Sequence, residues 1–514
     1  MAGWLVSSEE MRQLDRQVIE QIGVPGVVLM DAAGRGVADL IVRIVDVPRA
    51  RVVVYAGAGN NGGDGFVASR HLANRGATVQ VVLCAPAAKV TGDAHTHLYA
   101  CKRSNVEILD GASEGALKEA AQRAAGADVV VDALFGTGLS RPIEGHLAQA
   151  VEVINGHRGI RVAVDIPSGL SADLGVPLGA CVRADHTVTF AFAKRGLVSA
   201  PGFIFAGTVH VVDIGIPERL ARERGIRARL LGDDVLAALT ASPDPLAHKG
   251  THGHVLVLAG STGKTGAALL AGRAALRSGA GLVTLAAPED ARAGLDGRVP
   301  ELMTAWYGKD GSEIDPLLDG KRALAAGPGV RTDAPMRAIL ARVVNAAIAR
   351  DLAVVLDADG LNHLAEDARI LDGASERANV VLTPHPGEAA RLAQLSTAQV
   401  QDDRIGCAER LALQHHAVVV LKGARTVIAA PDGRLAICPT GNPAMGSGGT
   451  GDALTGCIAA LLARGLDGFE AACAGAYWHG AAGDLVVRAQ GPQGLLASDL
   501  IEALPRALAA HTSA

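Results

Sequence analysis

No pair of cysteines in this 514-residue sequence has CxxC spacing, and the seven cysteines are an odd number. That pattern is neither a disulfide framework nor a zinc site; free thiols in a reducing cytoplasm are expected. The start of the chain lacks a basic segment followed by an apolar one, so no secretory signal is expected. No apolar run approaches the ~20 residues that span a bilayer. The nearest, 453–463, reads better as a buried helix. Charge of one sign is also missing: 48 basic against 53 acidic residues leave a formal net charge of -5. Near balance argues against a dedicated binder of nucleic acid or of an anionic membrane. The expectations are therefore a cytoplasmic protein, no nucleic acid and no membrane; a homo-oligomer is expected as well.

What the sequence has instead is a long α/β pattern. At about 150 residues per domain its length suggests two to four domains. Ser7 and Glu10 fit a capping box, and Met11, Leu14, Val18 and Ile22 follow at helical spacing. Gly23-Val24-Pro25-Gly26 ends that helix, and a second is expected from about Asp31 to Ile44. β-branched runs then alternate with helical patterns at 52–55, 79–83, 129–132, 162–165, 187–190 and 208–212. Several are continuously apolar, as strands buried on both faces should be. A second series runs through 255–258, 282–285, 323–326, 353–356, 380–382, 418–421, 426–429 and 435–438. Alternation of this kind predicts mostly parallel sheets. Between the series, 219–250 is charged early and carries Pro243 and Pro245 late. The boundary is placed near 225, giving domains 1–225 and 226–514. The halves do not resemble each other, so the chain reads as a fusion.

In the first half, Gly57-Ala58-Gly59-Asn60-Asn61-Gly62 matches GxGxxG between a strand and a helix, a Rossmann-like fingerprint. The acid that clamps a ribose about 20 residues on is missing, because Val81-Val82-Leu83-Cys84 stands there. An ordinary redox NAD site is thus not expected, although the loop can still take phosphate on its backbone N–H groups. Asn60, Asn61 and Asp64 put amides and a carboxylate on that loop. Asp132 and Asp165 each close a strand, and Ser168 follows the second. Strand ends in parallel sheets face the ligand crevice. Their oxygens suit a hard cation or acid–base work on a substrate.

These stretches, with Phe135-Gly136-Thr137-Gly138-Leu139-Ser140-Arg141 and Asp165-Ile166-Pro167-Ser168-Gly169, resemble the NAD(P)H-hydrate epimerase family. The resemblance implies interconversion of the R and S hydrates of the reduced nicotinamide cofactors, NADHX and NADPHX. It puts substrate on Asn60, Asn61, Gly62, Gly63, Asp64, Gly136, Thr137, Gly138, Leu139, Ser140, Arg141 and Pro142. It puts a potassium ion on Asn61, Asp132 and Ser168, and makes Asp165 the residue that acts on protons.

In the second half, Gly260-Ser261-Thr262-Gly263-Lys264-Thr265 invites a P-loop reading, but Leu258 stands where GxxxxGK[ST] needs glycine. Gly446-Ser447-Gly448-Gly449-Thr450-Gly451 is followed by Asp452 and an apolar helix. A Gly-rich turn feeding a helix exposes N–H groups at a positive dipole end, and an adjacent Asp can serve as a base for a hydroxyl. Polar strand ends surround it: Leu421-Lys422-Gly423-Ala424-Arg425-Thr426, Asp357-Ala358-Asp359-Gly360, and Thr383-Pro384-His385-Pro386-Gly387-Glu388, which reads as a Pro-bounded loop.

With His248-Lys249-Gly250, Thr265-Gly266-Ala267 and Gly327-Pro328-Gly329, these motifs resemble the ADP/ATP-dependent NAD(P)H-hydrate dehydratase family, which has a ribokinase-like α/β fold. The resemblance implies a lyase. It places the hydrate on Ala267, Gly329, His385 and Asp452, and the nucleotide on Lys422, Gly423, Ala424, Arg425, Thr426 and Gly451. ADP is the implied co-substrate, with a divalent cation such as magnesium. Two rivals remain from sequence: a small-molecule kinase of the hydroxyethylthiazole-kinase type with a regulatory first domain, and a non-catalytic nucleotide sensor.

Overall fold

Valine and alanine dominate the strands because both faces of each sheet are covered. Val52, Val54 and Ala56 join the core on one face, Val53 and Tyr55 the core on the other, and all five are buried. The computed structural model describes residues 3–240, 245–375 and 379–512; Pro243 of the expected linker lies outside them. The chain divides into two compact units, Gly3–Ala228 and the residues from Arg229 onward.

The first unit holds a seven-stranded sheet. Its order is Glu107–Asp110, Thr78–Leu83, Arg51–Ala56, Val129–Ala133, Ile160–Val164, His186–Phe190 and Thr208–Val212, with every pair parallel. Chain order reverses between Arg51–Ala56 and Val129–Ala133. A ligand crevice opens at such a switch point, outside the carboxyl ends of the strands. Gly3–Val6 pairs separately and in parallel with Ala193–Lys194.

In the second unit, seven parallel strands run in the order Met303–Tyr307, Leu282–Pro288, His254–Leu258, Ala323–Ala326, Ala353–Leu356, Val380–Leu382 and Val418–Leu421. Val427–Ala429 and Leu435–Ile437 then extend the sheet antiparallel. The reversal here lies between His254–Leu258 and Ala323–Ala326. Small residues let the flanking helices approach closely: a Cβ on Gly456 of the helix Thr450–Ala463 would strike the Ala271 carbonyl oxygen of Thr265–Arg277. Thr450–Ala463 is buried almost all round, as a helix apolar on most of its faces must be. Among the described residues no helix is long and apolar enough to cross a membrane.

Several elements differ from expectation for local reasons. The Ser7–Glu10 capping box forms, but the helix Ser8–Gln17 widens into an i→i+5 turn at Val18–Ile22, which leaves Ile22 43% exposed. The second helix begins at Gly26, directly after Pro25, and buries Leu29 and Met30 in its first turns. The stretch after Pro217 is not a featureless linker: it forms the helix Glu218–Glu223 and the strand Ala228–Leu230. The edge strands Glu107–Asp110 and Met303–Tyr307 escaped the sequence pattern because they are short and only partly buried.

Candidate active sites

In the first unit the two central strands each end in a glycine loop, and the loops touch. A Cβ on Gly57 would strike the Leu134 carbonyl oxygen, and one on Gly62 the Gly57 carbonyl oxygen. Glycine is therefore a steric requirement at this crossing. The helix Asn60–Asn74 starts here with Gly59 as its cap and no side chain on its first N–H groups. The dipole end and open N–H groups suit an anion.

Asp132 and Ser168 meet in the interior beside this turn. Ser168 donates Oγ–H to Asp132 Oδ1 at 2.6 Å and its backbone N–H to Oδ2 at 2.7 Å, while Phe135 N–H donates to Ser168 Oγ at 2.9 Å. Burial pushes the Asp132 carboxyl up to about 6, against the pull of the Ser168 hydrogen bonds. Asn61 is buried, yet neither its Oδ1 nor its Nδ2 has a hydrogen-bond partner. A Cβ built on Gly136 would sit 3.1 Å from Asn61 Oδ1 and 3.2 Å from Asp165 Oδ2, so both side chains converge on the Gly136 loop.

A cleft of about 740 Å³ opens over these groups. Asn60, Asn61, Asp64, Gly136, Thr137, Gly138, Leu139, Arg141 and Asp165 line it. Gly62 and Gly63 are buried behind it, and Ser140 and Pro142 are exposed outside its lining. Sequence reasoning missed two cleft residues, Lys194 and Asp15. Lys194 is 1% exposed, with Nζ 2.6 Å from Asp165 Oδ1. Asp15 is raised to about 6 by burial, with Lys194 opposing. Burial likewise holds Asp64, a residue expected only as a contact, well above the usual carboxylate range.

In the second unit the switch-point loops also interlock: Gly260 N–H donates to Pro328 O at 2.8 Å, and Ser261 Oγ to Gly329 O at 2.8 Å. This brings Ala267 and Gly329 together, since a Cβ on Gly329 would lie 3.0 Å from that of Ala267. Asp357, His385 and Lys422 follow the next three strands in the sheet. Lys422 Nζ binds Asp357 Oδ1 at 2.6 Å and lies 4.0 Å from Glu388 Oε2; Thr455 Oγ donates to Asp357 Oδ2 at 2.7 Å. Burial disfavours the Lys422 charge, but Asp357 and Glu388 outweigh it and raise the ammonium.

The helix Thr450–Ala463 points its first turn at this group. Gly449 caps it at φ +90° with no side-chain hydrogen bond, so its first N–H groups stay open. Gly451 lies against Lys422, with 3.3 Å from Nζ to the place a Cβ would occupy. Asp452 is therefore in the first turn of the helix and is not its cap. Burial, then Asp357, raise its carboxyl to about 6, with Lys422 opposing. Gly423, Ala424, Arg425 and Thr426 form the turn between Val418–Leu421 and Val427–Ala429, where Thr426 Oγ donates to Gly423 O at 3.0 Å.

His385 does not sit in a loop, as expected, but caps the helix Pro386–Ala393: its Nδ1 accepts from Gly387 N–H and Glu388 N–H, and Glu388 returns a bond to His385 N–H at 2.8 Å. Asp359 likewise begins the helix Asp359–Glu366 and pairs with Lys264 at 3.0 Å. His479, unremarked in the sequence, is pushed down to about 4 by burial and bonds the Thr450 carbonyl at 2.9 Å, fixing the turn that carries Asp452.

Residues 26–196 match the family described as YjeF-related protein N-terminus, and residues 255–506 match NAD(P)H-hydrate dehydratase. The chain is 42% identical over 520 residues to the bifunctional NAD(P)H-hydrate repair enzyme Nnr of Moorella thermoacetica, across 98% of this chain and 96% of that protein. Two solved structures are similar to the second half. One is the ADP/ATP-dependent NAD(P)H-hydrate dehydratase of Bacillus subtilis co-crystallised with ATP and magnesium (34% identity, TM-score 0.48, 55% of this chain and 98% of that one). The other is a ribokinase-like superfamily protein of Enterococcus faecalis (27% identity, TM-score 0.50, 55% and 96%).

Proposed function

We infer how the two sites work from the premise that the chain belongs to the family of bifunctional NAD(P)H-hydrate repair enzymes. It is an enzyme with two activities, epimerisation of the R and S hydrates and nucleotide-dependent dehydration of the S-hydrate, and the kinase reading falls away. We assign the first activity to residues 1–225 and the second to 226–514, in a cytoplasmic homo-oligomer whose mass in solution tests the assembly.

In the second domain we assign Asp452 as the base. It takes the proton of the substrate hydroxyl as that oxygen attacks the terminal phosphorus of the nucleotide. The bond to the departing nucleotide breaks, leaving a phosphate ester where a hydroxyl was. Hydroxide is a poor leaving group and phosphate a good one, so the C–O bond then breaks with its electron pair on phosphate. A proton is lost from the neighbouring carbon, and the double bond of NADH or NADPH returns. Lys422, Gly423, Ala424, Arg425, Thr426 and Gly451 are assigned to the nucleotide, and Ala267, Gly329 and His385 to the hydrate. The observation that carries this reading is the open helix N-terminus bearing Asp452 against Lys422.

Among the described residues no cluster of three or more His, Cys, Asp or Glu is arranged to hold a metal ion alone. That fits a magnesium ion held largely by nucleotide phosphates, with Asp357, Glu388 and Asp359 as the carboxylates beside Asp452. When bound, such an ion neutralises charge on the transferring phosphate. The proposed donor is ADP. Incubating the S-hydrate with ADP and ATP side by side tests it: NADH should reappear with AMP and phosphate from ADP, and a stable phosphorylated product without NADH would overturn the reading.

A base held at about 6 gives the reaction a pH signature. The ionised form is required, so activity should rise with pH and level off above that value. At pH 5 the rate should be about one tenth of the plateau. A profile flat from pH 5 to 8 would remove Asp452 from this role.

In the first domain we assign Asp165 to proton transfer. If inversion proceeds by departure and return of the hydroxyl, the C–O bond breaks with a proton supplied to the leaving oxygen. Water then adds to the opposite face and gives a proton back, so the balance is zero. Asn60, Asn61, Gly62, Gly63, Asp64 and the loop 136–142 are assigned to substrate. A potassium ion is assigned to Asn61, Asp132 and Ser168; the buried, unpartnered Asn61 Oδ1 supports it, since such an ion prefers oxygen donors. When bound, that ion would supply fixed positive charge for the substrate.

A further inference from the structure

Four carboxyl groups, Asp15, Asp64, Asp93 and Asp165, line the cleft of the first unit together with a single buried ammonium, Lys194. An ammonium has three hydrogens. Those of Lys194 go to Asp165 Oδ1 at 2.6 Å, Thr189 Oγ at 2.9 Å and the Phe190 carbonyl oxygen at 3.1 Å. None is left for Asp15, Asp64 or Asp93. Thr189 passes its own hydroxyl hydrogen to the same Asp165 Oδ1 at 3.1 Å. One oxygen of Asp165 is thus doubly held, and Oδ2 is the one turned toward the Gly136 loop. The lysine is itself fixed, because Val6 pairs with Lys194 in a parallel ladder and the side chain is 1% exposed.

We propose that Lys194 is the positioning residue of the epimerase site: it selects Asp165 from the four carboxyl groups of the cleft and fixes its free oxygen toward the substrate loop. The inference rests on the reading of Asp165 as the proton-transfer residue. The other cations that line the cleft, Arg12, Lys89 and Arg141, are all exposed, whereas Lys194 is 1% exposed and held against Asp165. Asp15 and Asp64, both raised by burial, then remain as unpaired acids facing the same space.

The test uses the full chain, with S-hydrate dehydration by the second domain as an internal measure of enzyme concentration and the melting of the first domain as the measure of its folding. Lys194→Met should lower kcat for R-to-S exchange by about 100-fold, the loss that an ångström of misplacement causes. KM for the hydrate should stay within about threefold, because no substrate contact is removed. Lys194→Arg should recover part of kcat, and Lys194→Ala should regain activity when methylammonium is added. A purely structural lysine would show neither recovery. If Lys194→Met damages the fold, Thr189→Val, which removes one bond and keeps shape, carries the test: a fall in kcat at constant KM supports the proposal. Unchanged kcat in Lys194→Met or Thr189→Val, alongside an inactive Asp165→Asn, overturns it. An active Asp165→Asn would instead sink the reading on which it rests.

Discussion

Asp452→Asn should lower the rate of S-hydrate dehydration by about 10²–10⁴-fold, the range that a positioned base supplies, while R-to-S exchange continues at the parental rate. The substitution keeps the shape of the side chain and removes only its capacity to take a proton. Its effect on stability separates a base from a helix-terminus ornament. The folded-state value of about 6 lies above the ordinary 3.8. Its contribution to stability is therefore full below pH 3.8 and lost as pH rises through about 6. At pH 7 the buried, ionised carboxylate is a cost that Asn removes. The variant's melting temperature should equal or exceed the parent's, whereas a merely structural acid in the first helical turn would leave the variant less stable. Dehydration at the parental rate would remove Asp452 from the reaction.

The parts of both sites that were legible in the sequence are those set by backbone geometry over a few residues. Gly57 to Gly62 and Gly448 to Asp452 read as turns feeding helices because the steric need for glycine and the start of the apolar helix are local. Central strands were legible because burial on both faces leaves a continuous apolar run, as at Val129, Val130 and Val131. Partly exposed edge strands carry no such mark. Contacts between distant positions were not legible. Lys422 meets Asp357 across 65 residues, and Thr455 meets it across 98. His479 supports Thr450 from 29 residues away and lies in a long helix with no motif of its own. Lys194 belongs to a two-residue strand that no periodicity could reveal. The misread Pro384–Pro386 segment is instructive in another way. Two prolines suggest a loop, but Pro at the first helical position after a capping residue is equally a helix start, and Glu388 closing back on His385 N–H decides for the helix.

Asp165→Asn should slow R-to-S exchange by about 10²–10⁴-fold and leave dehydration of the S-hydrate intact. The backbone gives this variant an advantage over alanine: Asp165 lies at φ +64°, a left-handed conformation that the short polar side chains of Asp and Asn tolerate and that alanine, without such a side chain, adopts with more strain. The amide oxygen of Asn can also keep the bond that Lys194 now gives to Oδ1. Loss of activity then reports loss of proton transfer and not loss of shape. The readout is a progress curve on a mixture of R and S hydrates with excess nucleotide. The parent should convert the whole mixture to NADH, because exchange feeds the dehydratase. The variant should convert the S fraction at the parental initial rate and then stall, with the remaining R form disappearing only as fast as it inverts spontaneously. Adding a catalytic amount of an Asp452→Asn chain should release that stall, since each variant supplies the reaction the other lacks. Complete conversion by Asp165→Asn alone would take proton transfer away from Asp165, and a stall that the second variant cannot relieve would mean that the two sites do not act independently.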